Sequence, residues 1–187
     1  MKYFLGFLAT VGLMILVLIL VLRGFSGDSS GKDIKPLSDY ANTNAVMQMT
    51  VDGPIIAEQQ HQAYRITVGN SETRIETLQG YDYEIIETKT YENNQQSYTN
   101  FLRALDIVGY SKGITKIDTQ SDDERGVCAT GNRMIFGIVN GTSKIQRYWS
   151  TTCGGGTFKG NREKVKQLFD RQIPSQDFSK MTGRLRV

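Results

Sequence analysis

The chain has 187 residues, 22 Lys and Arg against 19 Asp and Glu, one histidine and two cysteines. That length suits one domain of moderate size plus a short appendage. So few Cys and His residues exclude a zinc cage, and any Ser-His-Asp or Cys-His centre would have to use His61.

The appendage comes first. Tyr3 to Leu22 is an uncharged, almost wholly apolar run. At a helical rise of 1.5 Å per residue it spans about 30 Å, the thickness of a bilayer core. A secretory signal has a shorter apolar region and a small-x-small cleavage site, which Gly24-Phe-Ser26 does not supply. The run therefore reads as an uncleaved single-pass anchor over residues 1–23, with a cleaved signal as the alternative. The bilayer is its partner through residues 3–22. It is not a type IV pilin signal, because the span holds no acidic residue. Residues 24–44, with Gly, Ser, Asp and one Pro, read as a juxtamembrane linker.

The domain is expected over residues 45–187. Val46 to Val51 is strand-like and ends at Asp52-Gly53-Pro54; Ile55-Ile56 could be a second short piece. Gln62 to Val68, Thr73 to Gln79 and Tyr83 to Tyr91 follow as an antiparallel meander with turns at Gly69-Asn70-Ser71 and Gly80-Tyr81-Asp82. His61 is expected on the surface at a strand start. Glu84 and Glu87, an odd number apart, are expected on opposite faces. Asn93-Asn94 can cap a helix carrying Tyr98, Phe101, Leu102, Leu105 and Val108 at helical spacing, with Gly109 as its C′ residue. Lys112 to Glu124 is polar and reads as a loop. Asp118, Asp122, Asp123 and Glu124 lack the spacing and the Gly of a calcium loop, so a solvated acidic loop is the simpler reading.

Arg125 to Gly160 reads as a long hairpin about Asn140-Gly141, the residues of a type I′ turn. A two-residue loop there pairs Val139 with Thr142 and, carried outward, Cys128 with Cys153. A disulfide between these cysteines is expected in the ladder. That register places Cys128, Met134, Phe136, Ile138, Ile145, Trp149 and Cys153 on a core-facing side. Arg133, Lys144, Gln146, Tyr148 and Ser150 lie opposite, with Ile135 and Val139. Gly154-Gly155-Gly156 then releases the chain from the sheet. Asn161 caps a second helix with Val165, Leu168 and Phe169 inward, and Pro174 stops it. Residues 175–187 carry no assignable pattern.

The segments Asp52-Gly-Pro-Ile-Ile-Ala57, Tyr98-Thr-Asn-Phe-Leu-Arg-Ala-Leu105 and Arg125-Gly-Val-Cys-Ala-Thr-Gly-Asn-Arg133 together resemble uncharacterised single-pass surface proteins of the candidate phylum Saccharibacteria. The resemblance covers residues 45 to about 170. It implies a kind of bacterial cell and carries no activity.

Gly155 to Gly160 mimics the two glycines of a phosphate loop, but Asn161-Arg162 stands where Lys-Ser/Thr is needed. Residues 24–124 hold 8 basic and 16 acidic side chains, and residues 125–187 hold 12 and 3. The two halves either neutralise each other or leave a basic face for an anionic wall polymer or lipid headgroup. The candidate anion-binding residues are Lys159, Arg162, Lys164 and Lys166. Nothing calls for a cofactor, a metal or sequence-specific nucleic-acid contact, and no protein partner is named.

The expected architecture is α+β: an antiparallel sheet of about six or seven strands with two packed helices, behind one N-terminal transmembrane helix. A disulfide persists outside the cytosol, which puts the C-terminal domain outside the cell membrane. The function expected is a membrane-anchored, non-enzymatic binding or structural module of the cell surface. The alternatives are a membrane-tethered cell-envelope hydrolase, which would have to use His61, and a protease inhibitor presenting residues 112–124.

Overall fold

The computed structural model describes residues 36–113 and 123–183, together with positions 12 and 14. Contacts divide the chain into Met1–Asp33 and Ile34–Val187. Apart from positions 12 and 14, the expected anchor over residues 3–22 lies outside the described residues, as do most of the expected linker, Asp118 and Asp122. Among the described residues no helix is long and apolar enough to cross a membrane.

Six strands form one antiparallel sheet: β1 Ala45–Asp52, β2 Gln62–Val68, β3 Glu72–Gln79, β4 Glu84–Glu92, β5 Arg133–Asn140 and β6 Ser143–Thr151. Their order is β4-β3-β2-β1-β5-β6. Strand β1 is central, and its alternation organises both faces. Met47, Met49 and Val51 stand opposite Val68, Ile66 and Tyr64 on one side and Ile138, Phe136 and Met134 on the other. Each is buried, so three adjacent strands present one continuous apolar face. Gln48, Thr50 and Asp52 point to the second face, where Thr67, Arg65, Ala63, Gly137, Ile135 and Arg133 are their neighbours.

Three helices, α1 Gln95–Ile107, α2 Arg162–Asp170 and α3 Ser175–Thr182, contribute to the core on the apolar face. Asn94 Oδ1 accepts from the Ser97 amide at 2.9 Å, and Asn161 Oδ1 from the Lys164 amide at 3.0 Å, so both expected caps form. Phe101 meets Phe169 edge-on at 5.1 Å, which joins α1 to α2. Their ends are also tied through the backbone: Asn161 N–H donates to Val108 C=O and Lys159 N–H to Lys112 C=O, each at 2.9 Å. The approach is so close that a Cβ on Gly160 would lie 2.2 Å from the Gly109 carbonyl oxygen.

Several expectations are corrected. Among the described residues three α-helices pack on the sheet, not two: the unassigned tail contains α3, with Pro174 as its N-cap and Met181 buried. The folded unit begins before Ala45, because Leu37–Tyr40 forms a 3₁₀ turn and Leu37 is fully buried in the core. Ile55-Ile56 is no strand and leads into a 3₁₀ turn at Glu58–Gln60. A bulge between Thr77 and Leu78 pairs Glu87 with Thr77 and Glu84 with Gln79, which puts the two glutamates on one face instead of two.

The largest correction concerns the β5–β6 hairpin. The loop is Gly141-Thr142, closed by Asn140 opposite Ser143, and Gly141 has φ 59°. Glycine at the first central position is the II′ arrangement, not I′. A bulge then leaves Ile145 unpaired, because Val139 faces Lys144 while Ile138 faces Gln146. Together these shift the register by an odd number of residues, which swaps the faces of β6. Tyr148, not Trp149, stands beside Phe136 on the core face. Trp149 is also buried, but on the opposite face beside Ile135.

The Cys128–Cys153 disulfide is present, with Cα atoms 5.6 Å apart. It lies beyond the ladder, not within it: β5 starts at Arg133 and β6 ends at Thr151. Cys153 is exposed and Cys128 half-buried, so the bridge staples the hairpin's open end at the surface and not on the core side. Gly131 packs beneath it, where a Cβ would meet Cys128 Sγ at 2.6 Å.

Two outcomes follow. Unreduced, denatured protein should show no free thiol, and replacing both cysteines by Ala should lower stability by about 3 kcal/mol in the chain-entropy account, read by urea unfolding. The second concerns Asp177 on α3, which pairs with Lys89 and accepts from the Tyr91 hydroxyl at 2.7 Å. Hydrogen bonds from Lys89 and Tyr91 hold its carboxyl below the usual range. A lowered value in the folded state means the stabilisation is present above an ordinary aspartate value of about 3.9 and is lost as pH falls through the lowered one. Melting curves should therefore show stability falling below about pH 4. Asp177→Asn should lower the melting temperature at pH 7 and flatten that acid decline.

Candidate functional site

The second face of the sheet buries a group of charged and polar side chains at one end. Asp52 is the last residue of β1 and Arg133 the first of β5, and they are direct cross-strand partners. Arg133 Nε donates to Asp52 Oδ2 at 2.8 Å, while Nη2 reaches the Gly53 carbonyl at 2.6 Å. Arg133 is 2% exposed and Asp52 4%. A guanidinium fits this place because its planar fork can serve a carboxylate and a carbonyl together.

His61 completes the group. It follows the 3₁₀ turn at Glu58–Gln60 and is fully buried, which overturns the expectation of a surface residue. Its Nε2 lies 2.6 Å from Asp52 Oδ1 and its Nδ1 3.0 Å from the Pro54 carbonyl oxygen. The ring stacks on Tyr81 at 4.1 Å. The Tyr81 hydroxyl donates to Ile56 C=O at 2.7 Å and accepts from Ile56 N–H at 3.1 Å. Loop 53–61 is thereby fastened at Gly53, Pro54, Ile56 and His61.

Tyr83 borders the group from the β3–β4 turn, in a left-handed conformation with φ 57°. Burial, then the negative charges of Asp52 and Glu124, push its hydroxyl well above the usual tyrosine value. Glu124 is buried and its Oε1 pairs with Arg147 at 2.5 Å. Its Oε2 is buried without a partner among the described residues.

The chemistry open to this group is limited by how completely it is satisfied. A general base needs a ring nitrogen within hydrogen-bond reach of a substrate proton. Both nitrogens of His61 are committed to oxygens inside the fold, and no part of the residue reaches solvent. The arrangement resembles the Asp-His half of a triad in composition only. It acts as a clasp that joins β1, β5 and loop 53–61.

The four candidate anion-binding residues are dispersed in their roles. Arg162 bonds Glu163 at 2.9 Å and also the Thr151 carbonyl. Lys166 pairs with Asp170 at 2.7 Å and lies over the rings of Tyr64 and Phe178. Lys159 and Lys164 are exposed, and their side chains enter no ion pair among the described residues. In the acidic loop, Asp123 is held down to about 2 by hydrogen bonds from Arg125. Among the described residues no three His, Cys, Asp or Glu side chains gather into a metal site.

Sequence reasoning missed Asp52, Arg133, Tyr81 and Tyr83 as members of one cluster. The only local signal was two charged residues at the ends of apolar strands. Nothing in their spacing said that those ends would be neighbours.

No protein-family model matches the chain, and no curated protein matches it.

Removing one partner of a buried ion pair leaves an uncompensated charge and costs roughly 3–5 kcal/mol. Asp52→Ala should therefore cause a loss of that order in urea unfolding. Adding Arg133→Met should recover part of it, because the orphaned guanidinium is then gone. Equal stability of Asp52→Ala and wild type would remove the clasp from the account.

Proposed function

We propose that this chain is a membrane-anchored module of the bacterial cell surface that binds or supports other envelope components instead of catalysing a reaction. The observation that carries this reading is the Cys128–Cys153 bridge. Such a bridge persists in an oxidising compartment, and the domain that contains it would lie outside the cytoplasm. The apolar run of residues 3–22 supplies the tether. The sealed state of His61 supports the non-catalytic part, since the hydrolase alternative would have to use that ring.

The surface for an anionic wall polymer or lipid headgroup is narrower than four residues. Lys159 and Lys164 are its exposed cations, at the entrance to α2 and in its first turn. Arg162 and Lys166 are held by Glu163 and Asp170. Two exposed lysines give a weak, long-range attraction that salt screens over a Debye length of about 8 Å at 0.15 M.

Location is tested by protease treatment of intact cells producing the full chain. The domain should be cut from outside, and the remaining fragment should resist extraction at alkaline pH. A domain protected until lysis would overturn the topology. Binding is tested by recruiting the detergent-solubilised full chain to beads coated with phosphatidylglycerol, with phosphatidylcholine or with purified wall polymer. Anionic surfaces should retain it several-fold better at low salt, and Lys159→Glu with Lys164→Glu should abolish the difference. Equal retention on neutral beads would leave mutual neutralisation of the two halves as the account.

A further inference from the structure

The two edges of the sheet are treated differently. The outer edge of β6 is covered near its end: Phe158 N–H donates to Trp149 C=O at 2.9 Å, Trp149 N–H donates to Thr157 Oγ1 at 3.1 Å, and Ser150 bridges to Gly156. Among the described residues nothing pairs with the outer edge of β4. This strand is nine residues long and its first five are exposed, including Ile85 at 52% and Ile86 at 43%. An open edge of that length is a template for another strand.

The direction of each backbone group on β4 follows from two bonds at the far end of β3. Gly69 N–H donates to Glu72 C=O, so Glu72 turns toward β2. Asn93 N–H donates to Ser71 C=O, so Ser71 and Asn93 face each other. Because the pattern alternates in an antiparallel ladder, Thr73, Ile75 and Thr77 turn toward Tyr91, Lys89 and Glu87. Thr88, Thr90 and Glu92 therefore send both their N–H and C=O groups outward.

We infer that this edge pairs with β4 of a second copy of the chain, antiparallel and centred on Thr88. A two-fold axis through Thr88 makes Thr88 face its own copy as a hydrogen-bonded pair, which the outward direction of its backbone allows. Glu87 then stands opposite Lys89 of the second copy, and Lys89 opposite the second Glu87, on the same face. Moving the centre to Glu87 or to Lys89 sets like charges against each other, which disfavours those registers. Ile86 comes opposite Thr90 of the second copy and loses part of its exposure. The bulge bends β4 beyond Ile86, so Glu84 is not driven against Glu92. Lys89 already meets Asp177 of its own chain, but an ammonium has three donors and is 30% exposed here, so it can serve a second carboxylate. The inference does not rest on the surface location proposed above.

The test uses the full chain purified in detergent. The wild type should be dimeric by light scattering. Thr88→Pro should be monomeric with unchanged circular dichroism, because the lost N–H faces away from β3. A monomeric wild type, or a dimer that persists in Thr88→Pro, would overturn the inference; the second result would assign dimerisation to another part of the chain. The register is tested by cysteine crosslinking. Thr88→Cys should give a covalent dimer on mild oxidation, and Arg103→Cys, exposed on α1, should not. In the Thr88→Cys background, Glu87→Lys alone and Lys89→Glu alone should each lower the yield several-fold. Mixing the two differently tagged variants should restore it, since every facing pair is then of opposite sign. Equal crosslinking at positions 88 and 103, or no recovery on mixing, would refute this pairing.

Discussion

The fold depends on one buried carboxylate. Asp52 ends the central strand on the polar face of the sheet, where it is almost wholly buried. An ionised carboxylate in such a place is tolerated only with a partner and with its lone pairs engaged. Arg133 supplies the charge and His61 a second hydrogen-bonding partner. Each partner brings a different stretch of chain with it: Arg133 begins β5, more than eighty residues away, and His61 closes loop 53–61. The carboxylate thus sets where the two halves of the sheet meet and how the intervening loop lies. Tyr81 then stacks on His61 and fixes the β3–β4 turn to the same loop.

The helices answer a separate need. Met47, Met49, Val51 and their cross-strand neighbours form an apolar face that must be covered. Helices α1, α2 and α3 cover it with Tyr98, Phe101, Phe169 and Met181, among others. Two tyrosines at this interface point their hydroxyls at backbone oxygens: Tyr98 donates to Ala45 C=O at 2.7 Å, and the Tyr110 hydroxyl lies 2.8 Å from both Gln48 C=O and Gly137 C=O. Burial pushes the pKa of both hydroxyls well above the usual tyrosine value, so they stay neutral donors. The two faces therefore follow different rules, apolar packing on one and paired charge on the other.

The open end of the hairpin shows how those rules combine. Gly156, with φ 110°, sits where a Cβ would strike the Trp149 carbonyl at 2.3 Å, so the returning chain can lie against β6. That return covers one sheet edge and leads directly into α2. The disulfide fixes the same region from the other side, between the segment before β5 and the segment after β6. Among the described residues the β4 edge has no such return, which leaves it the open one.

The sequence determined the six strands, helices α1 and α2, and the covalent staple. Strand-like runs bounded by turn residues marked β1 to β3, the 3.6-residue spacing of Tyr98 to Leu105 marked α1, Asn94 and Asn161 marked the caps, and two cysteines left one bridge to make. These are local signals, set by neighbours within a few residues. The tertiary structure decided what depended on distant chain. The β6 register turned on whether Gly141 took the first or second loop position and on a bulge at Ile145, and that moved Trp149 to the other face. Helix α3 has a weak apolar pattern and is held by Tyr64, Thr77, Lys89 and Tyr91, none of them near it in sequence. The Asp52–His61–Arg133 clasp was illegible for the same reason: a charge at a strand end says only that it must find a partner, and the strand order alone decides which one stands beside it.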